Sequence, residues 1–170
     1  MLQVNKIQIK GEKIHLEYSK RIPKGNGEEL VDDYTMTCSE APLPDFHRVL
    51  QSLKEYVVEI CELPDNYADG IKVTGVSFTH DDESWGAVMS AVKTLKSSNT
   101  PFNIHTPWKE ASHEFQAPTK SAGENKILLS KNCTKSLELL REHCFRYIDG
   151  ERAQVTLPFE TKGKRTKAEA

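Results

Sequence analysis

The chain has 170 residues, 37% hydrophobic and 28% charged, with a formal net charge of −2. That is long enough for one domain with a real core plus an appendage, and the near-neutral balance excludes nucleic-acid binding carried by bulk charge. No apolar run approaches the roughly 20 residues needed to span a bilayer, and Met1–Lys6 lacks the apolar stretch of a signal peptide, so the expected setting is cytoplasmic and away from membranes.

The elements follow in chain order. Val4, Ile7 and Ile9, then Ile14, Leu16 and Tyr18, alternate with polar residues on either side of Lys10-Gly11-Glu12, which reads as a β-hairpin. A looser connection at Pro23–Gly27 leads to a third strand, with Tyr34, Met36 and Cys38 on one face. Three such strands in succession imply an antiparallel sheet. Pro44 opens a helix with Phe46, Leu50, Leu53, Val57 and Ile60 on one face, ended by Leu63-Pro64-Asp65-Asn66.

Ile71, Val73, Val76 and Phe78 form a further strand, with a bulge expected at Thr74-Gly75 where the alternation slips. Past the acidic turn His80–Ser84, residues 85–95 fit either a helix or a strand. Their β-branched content favours a long strand, with Pro101–Trp108 as its extended end. Residues 109–125 read as a long polar loop. Ser130 is a candidate N-cap, and Cys133, Leu137, Leu140, Cys144 and Tyr147 with Ile148 make the apolar stripe of a second helix, stopped by Gly150. The expected architecture is α+β: one domain over 1–150, ordered β-β-β-α-β-β-α. An antiparallel sheet of about five strands carries two helices on one face, and 151–170 form a flexible tail.

Catalytic signatures are missing from the residues. The six histidines and four cysteines show no zinc-type spacing, and Cys38, Cys61, Cys133 and Cys144 read as free buried thiols, with a disulfide pair left open. Asp32-Asp33 and Asp81-Asp82-Glu83 read as solvated turn residues, the competing idea being a metal-dependent nuclease. No nucleophile elbow or phosphate loop occurs. The expectation is a non-enzymatic protein with no cofactor, no metal and no catalytic residues. Trp85, Phe102 and Trp108, near Lys93, Lys96 and Lys109, are candidates for stacking and pairing with single-stranded nucleic acid. Packing is the competing role for these rings.

Gln154-Val155-Thr156-Leu157-Pro158-Phe159 follows the Gly150 stop and precedes the basic run Lys162-Gly163-Lys164-Arg165-Thr166-Lys167. It resembles the bacterial sliding-clamp-binding motif, with Gln154, Leu157 and Phe159 at the anchor positions and Val155 where the motif favours leucine. The resemblance implies that Leu157 and Phe159 enter an apolar pocket of the clamp. Lys162, Lys164 and Arg165 are candidates for contact with DNA threaded through it. Ala153, Val155, Leu157 and Phe159 also alternate as an edge strand does, with Pro158 tolerated at an edge, and the residues leave both readings open.

The body resembles small uncharacterised proteins of phages and mobile elements of Gram-positive bacteria, through Glu59–Pro64, Val73–Phe78, Asn99-Thr100-Pro101 and Asp149–Gln154. Together these resemblances imply an accessory protein of DNA replication or recombination, bound to the sliding clamp and to DNA or a replication or recombination protein. The alternatives are a host-directed inhibitor acting by occlusion (an anti-defence or clamp-blocking protein) and a single-stranded nucleic-acid-binding module. Oligomeric state is not legible.

Overall fold

The computed structural model describes residues 1–81, 84–112 and 127–153. Alternating side chains lay down β1 (Leu2–Lys10), β2 (Lys13–Pro23) and β3 (Glu29–Cys38) as a meander. Its first turn is two residues long, and Gly11 adopts φ +62° there, a conformation that glycine reaches without steric cost.

A helical arm follows as α1 (Pro44–Ser52) and α2 (Lys54–Ile60). Its apolar stripe is as expected, with Phe46, Leu50, Leu53 and Val57 buried and Pro44 in the first turn. The arm is interrupted at Leu53, whose backbone nevertheless stays in the right-handed helical region. It ends in a paired cap: Leu63 N–H donates to Val58 O, and Glu62 N–H donates to Glu59 O. Glu62 takes φ +52° to make this turn, a position usually given to glycine.

A 3₁₀ turn at Asp65–Tyr67 leads to β4 (Ile71–His80) and β5 (Trp85–Lys93), so residues 85–93 are strand. β6 (Phe102–His105), β7 (Lys109–Glu110) and α3 (Lys131–Ile148) complete the described elements. Ser130 caps α3 by accepting the Cys133 N–H, and Gly150 closes it at φ +100°.

The sheet is antiparallel, ordered β3-β2-β1-β4-β5-β6, with β7 also on β5. Among the described residues it has seven strands rather than about five. Two differences account for this. Residues 102–105 do not extend β5; the chain turns back and pairs with Ser90–Lys93. Lys109–Glu110 do not begin a loop; they pair with Gly86–Ala87, and Glu110 bridges Leu128. β5 has a free outer edge to satisfy, and two short segments satisfy it in turn.

The β4 bulge falls between Val73 and Gly75. α1 and α3 pack on each other, α3 on β1, and the arm on β4 and β5, so the helices cover one face. Ile7, Leu16, Val76 and Met89 meet Phe46, Leu50, Leu137 and Leu140 in a single core. All four cysteines are free. Cys133 and Cys144 are buried as expected, but Cys38 and Cys61 are only half-buried, because each sits where its element ends and packing thins. Among the described residues no helix is long and apolar enough to cross a membrane.

Candidate docking site

The expected clamp-binding residues Gln154, Val155, Leu157 and Phe159, and the basic Lys162, Lys164 and Arg165, lie outside the described residues. The segment that delivers the chain to them does not. After Gly150 the backbone turns back toward the end of β3. Ala153 N–H donates to Ala41 O at 2.9 Å. Arg152 is held on three sides: its guanidinium lies 3.5 Å from the centre of the Tyr147 ring, Nε donates to Glu40 Oε2 at 3.1 Å, and Nη1 donates to Tyr147 O. Tyr147 donates its hydroxyl to Glu40 O at 2.6 Å. A planar guanidinium suits this arrangement because it stacks on a ring and hydrogen-bonds at its edge at the same time.

Cys38, the last residue of β3, faces the same cluster. The Tyr147 hydroxyl beside it and the Glu40 backbone lower its pKa; burial works against them, and Arg152 adds to the lowering. Tyr147 shifts the other way, because burial and the hydrogen bond with Cys38 both disfavour its phenolate. The group therefore holds a more acidic thiol and a strongly neutral phenol around one arginine.

β3 flanks this root as the outermost strand on its side of the sheet. Residues Glu29–Thr35 are all exposed, including Leu30, Val31 and Tyr34 at 46, 51 and 42%. Tyr34 stacks on Tyr18 of β2, ring centres 5.2 Å apart. Between Glu28 and Cys38 there are four acids and no base.

The nucleic-acid candidates do not converge. Trp85 lies on the helix-covered face, 5.9 Å from Phe78, with the Arg141 guanidinium 5.1 Å from its ring centre. Phe102 is exposed at the far end of β5, opposite Lys93. Trp108 lies across Gly86 on the other face; a Cβ on that glycine would fall 2.4 Å from the indole. Lys93 donates to Tyr67 O and Asp69 O and sits over the Tyr67 ring, so it ties β5 to the 3₁₀ turn. Lys96 is exposed in the β5–β6 connection, and Lys109 is half-buried in β7. Three rings on two faces do not form one stacking platform.

A half-open cleft of about 440 Å³ lies at the N-terminus of α3. Glu59, Glu62, Lys109 and Lys131 all line it, so it favours neither charge sign strongly. Its serine hydroxyls are engaged: Ser112 Oγ donates to Leu129 O, and Ser130 Oγ caps α3. Burial pushes the Cys133 thiol there up to about 12, the opposite of an activated nucleophile. Among the described residues no three His, Cys, Asp or Glu side chains gather as a metal site.

Sequence reasoning missed Glu40, Ala41, Tyr147 and Arg152 as a group, although Arg152 adjoins the tail motif. The one pointer to it in the sequence is that Arg152 stands two residues before Gln154, where the motif begins. Comparison with known proteins adds nothing to this geometry, since no family model, curated protein or solved structure matches the chain.

Proposed function

We propose that this protein is a non-enzymatic accessory factor of phage or mobile-element DNA replication or recombination, which docks on the bacterial sliding clamp through Gln154, Leu157 and Phe159. The observation that carries this reading is the anchored root. Arg152 and Ala153 are fixed to the body immediately before the motif begins. A peptide held at its base has less freedom to lose on binding than a free one. The body is then brought to DNA by tethering rather than by a basic surface, which agrees with the net charge of −2.

The test is a titration of purified sliding clamp with the full-length protein and with a Leu157→Ala/Phe159→Ala variant. Full burial of each side chain contributes roughly 1.5–3 kcal/mol. The double variant therefore binds at least about 100-fold more weakly, at 1.4 kcal/mol per decade. Equal binding by both proteins, or no binding by the wild type, removes the clamp from the function.

A further inference from the structure

We propose that this chain pairs with a second copy of itself along the outer edge of β3, antiparallel and two-fold about Tyr34. Among the described residues nothing pairs with that edge. Folded proteins blunt such an edge with bulges, prolines or charges. Here the ladder with β2 runs from Pro23–Glu29 to Ile14–Cys38 with no bulge, and Glu29–Cys38 holds no lysine, arginine or proline. Its acids are already met from β2. Arg21 Nη1 lies 3.3 Å from Glu29 Oε2, Ser19 Oγ donates to Asp33 Oδ1 at 2.7 Å, and Lys20 stands opposite Asp32. Beside them Leu30, Val31 and Tyr34 are exposed.

The direction of the β3 backbone groups follows from β2. Arg21 N–H donates to Met1 O, and Arg21 O accepts from the Met1 amine. Arg21 therefore faces β1, while Lys20 and Ile22 face β3. The same alternation passes to the strand opposite. Leu30, Asp32, Tyr34, Met36 and Cys38 bond to β2, and Val31, Asp33, Thr35 and Thr37 turn N–H and C=O outward. A two-fold axis at Tyr34 sets Asp33 opposite the partner's Thr35 and Val31 opposite the partner's Thr37. All four outward residues of each copy then bond in pairs, and Tyr34 falls at a closer, non-hydrogen-bonded position.

Charge and aromatic packing select this register. Pairing about Asp32 or Asp33 sets an acid against its own copy, and pairing about Val31 sets Glu29 against Asp33, which like charges disfavour. Pairing about Tyr34 opposes no two acids. It also brings the two Tyr34 rings together, each already stacked on Tyr18, and aromatic pairs stabilise facing strands; pairing about Thr35 would set Tyr34 against Met36 instead. The helices leave room. Tyr34 shares their side of the sheet with Met36, which packs on the core, yet it is exposed, so the helix layer stops short of it. An interface one strand wide is at the low end of the size range for specific association, so the dimer is reversible and its population rises with concentration. The pairing does not depend on the function proposed above.

The test is sedimentation equilibrium of the full-length protein, with amide hydrogen exchange at Val31, Asp33, Thr35 and Thr37, both without clamp. The wild type dimerises, and protection of these four amides grows with protein concentration. Tyr34→Glu and Tyr34→Lys each weaken self-association by about tenfold, and an equimolar mixture of the two recovers it, because only a two-fold about residue 34 sets glutamate against lysine. Thr35→Pro abolishes the dimer while leaving the thermal unfolding of the monomer in place, since the N–H it removes points away from β2. A wild type that stays monomeric at every concentration overturns the proposal. So does protection that ignores concentration, the mark of an edge covered within one chain. Association that survives Thr35→Pro moves the interface off this edge, and a mixture that fails to recover dimers refutes the register about Tyr34.

Discussion

Gly75→Ala strikes the joint between the two halves of the sheet. Among the described strands, β1 and β4 are the only neighbours that link β3-β2-β1 to β4-β5-β6, and their register covers three pairs: Lys6 with Ser77, Ile7 with Val76 and Gln8 with Gly75. A Cβ at Gly75 would lie 2.5 Å from Ile7 O and 3.2 Å from Gln8 Cα. Both are backbone atoms and cannot rotate aside. An ordinary carbon–oxygen contact is about 3.3 Å, so β1 must retreat by about 0.8 Å at a place where a hydrogen bond near 2.9 Å does not survive such stretching.

Losing one or two of those bonds costs about 1 kcal/mol each, and forcing a methyl into a packed joint adds about 1–3 kcal/mol. The lower entropy of alanine in the unfolded chain returns about 0.4–1 kcal/mol. The net loss is about 1–4.5 kcal/mol, a fall in Tm of roughly 2–18 °C for a chain this size. Thermal and urea unfolding of Gly75→Ala and Gly25→Ala measure it. Gly25 has open space around a would-be Cβ and no positive φ, so its substitution stays within about 0.5 kcal/mol of the wild type. Equal stability of the two variants would refute the argument that close approach of β1 dictates glycine at 75.

Glu62→Gly relieves a left-handed residue at the helix cap and raises stability by about 0.5–1 kcal/mol in chemical denaturation; a loss would mean that the carboxylate contributes more than the backbone strain costs. At pH 7–8 Cys38 reacts with iodoacetamide faster than Cys61, because its pKa is lowered by Tyr147 and its neighbours whereas burial raises that of Cys61; Arg152→Ala slows Cys38, and peptide mapping of the alkylated chain reads both rates. His80 has its pKa lowered chiefly by burial, with Arg141 and Arg21 adding to the effect against the Val4 carbonyl that it hydrogen-bonds. The unfolded chain therefore binds this proton more readily, and the stability His80 contributes is full above about pH 6.5 and is lost as pH falls through its lower folded-state value. Unfolding curves at pH 7 and pH 5 show a smaller loss for His80→Gln than for the wild type.

What could be read from sequence was local chemistry. The Gly11 turn, the Ser130 cap, the Gly150 stop and the slip at Thr74-Gly75 each declare themselves within a few residues. So does the stripe of α3, because every fourth side chain faces the same core. β6 and β7 were misread because four and two residues carry too little periodicity; they are strands only because β5 leaves hydrogen-bonding groups unpaired beside them. The break at Leu53 had no sequence mark, since Leu53 belongs to the apolar stripe on either side of it. At the candidate site, the hexapeptide was visible as a pattern, but its anchorage was not. Tyr147 finds Glu40 across 107 residues and Arg152 finds Glu40 across 112, and no local rule couples positions so far apart.

The placement of β1 has a consequence for how the chain comes to be folded. β1 precedes its sheet neighbours in the chain yet lies inside the sheet, and its partner β4 is far along the chain: His80 reaches back 76 residues to Val4. During synthesis β1, β2 and β3 can assemble as a three-stranded ribbon with both outer strands exposed and its apolar face uncovered. Long-range strand pairing is slow, and an unpaired strand edge is where chains associate wrongly. Until the ribosome has released β4, the N-terminal ribbon is the most association-prone form of this protein, and variants that delay the β1–β4 joint lower its soluble yield before they lower the stability of the finished fold.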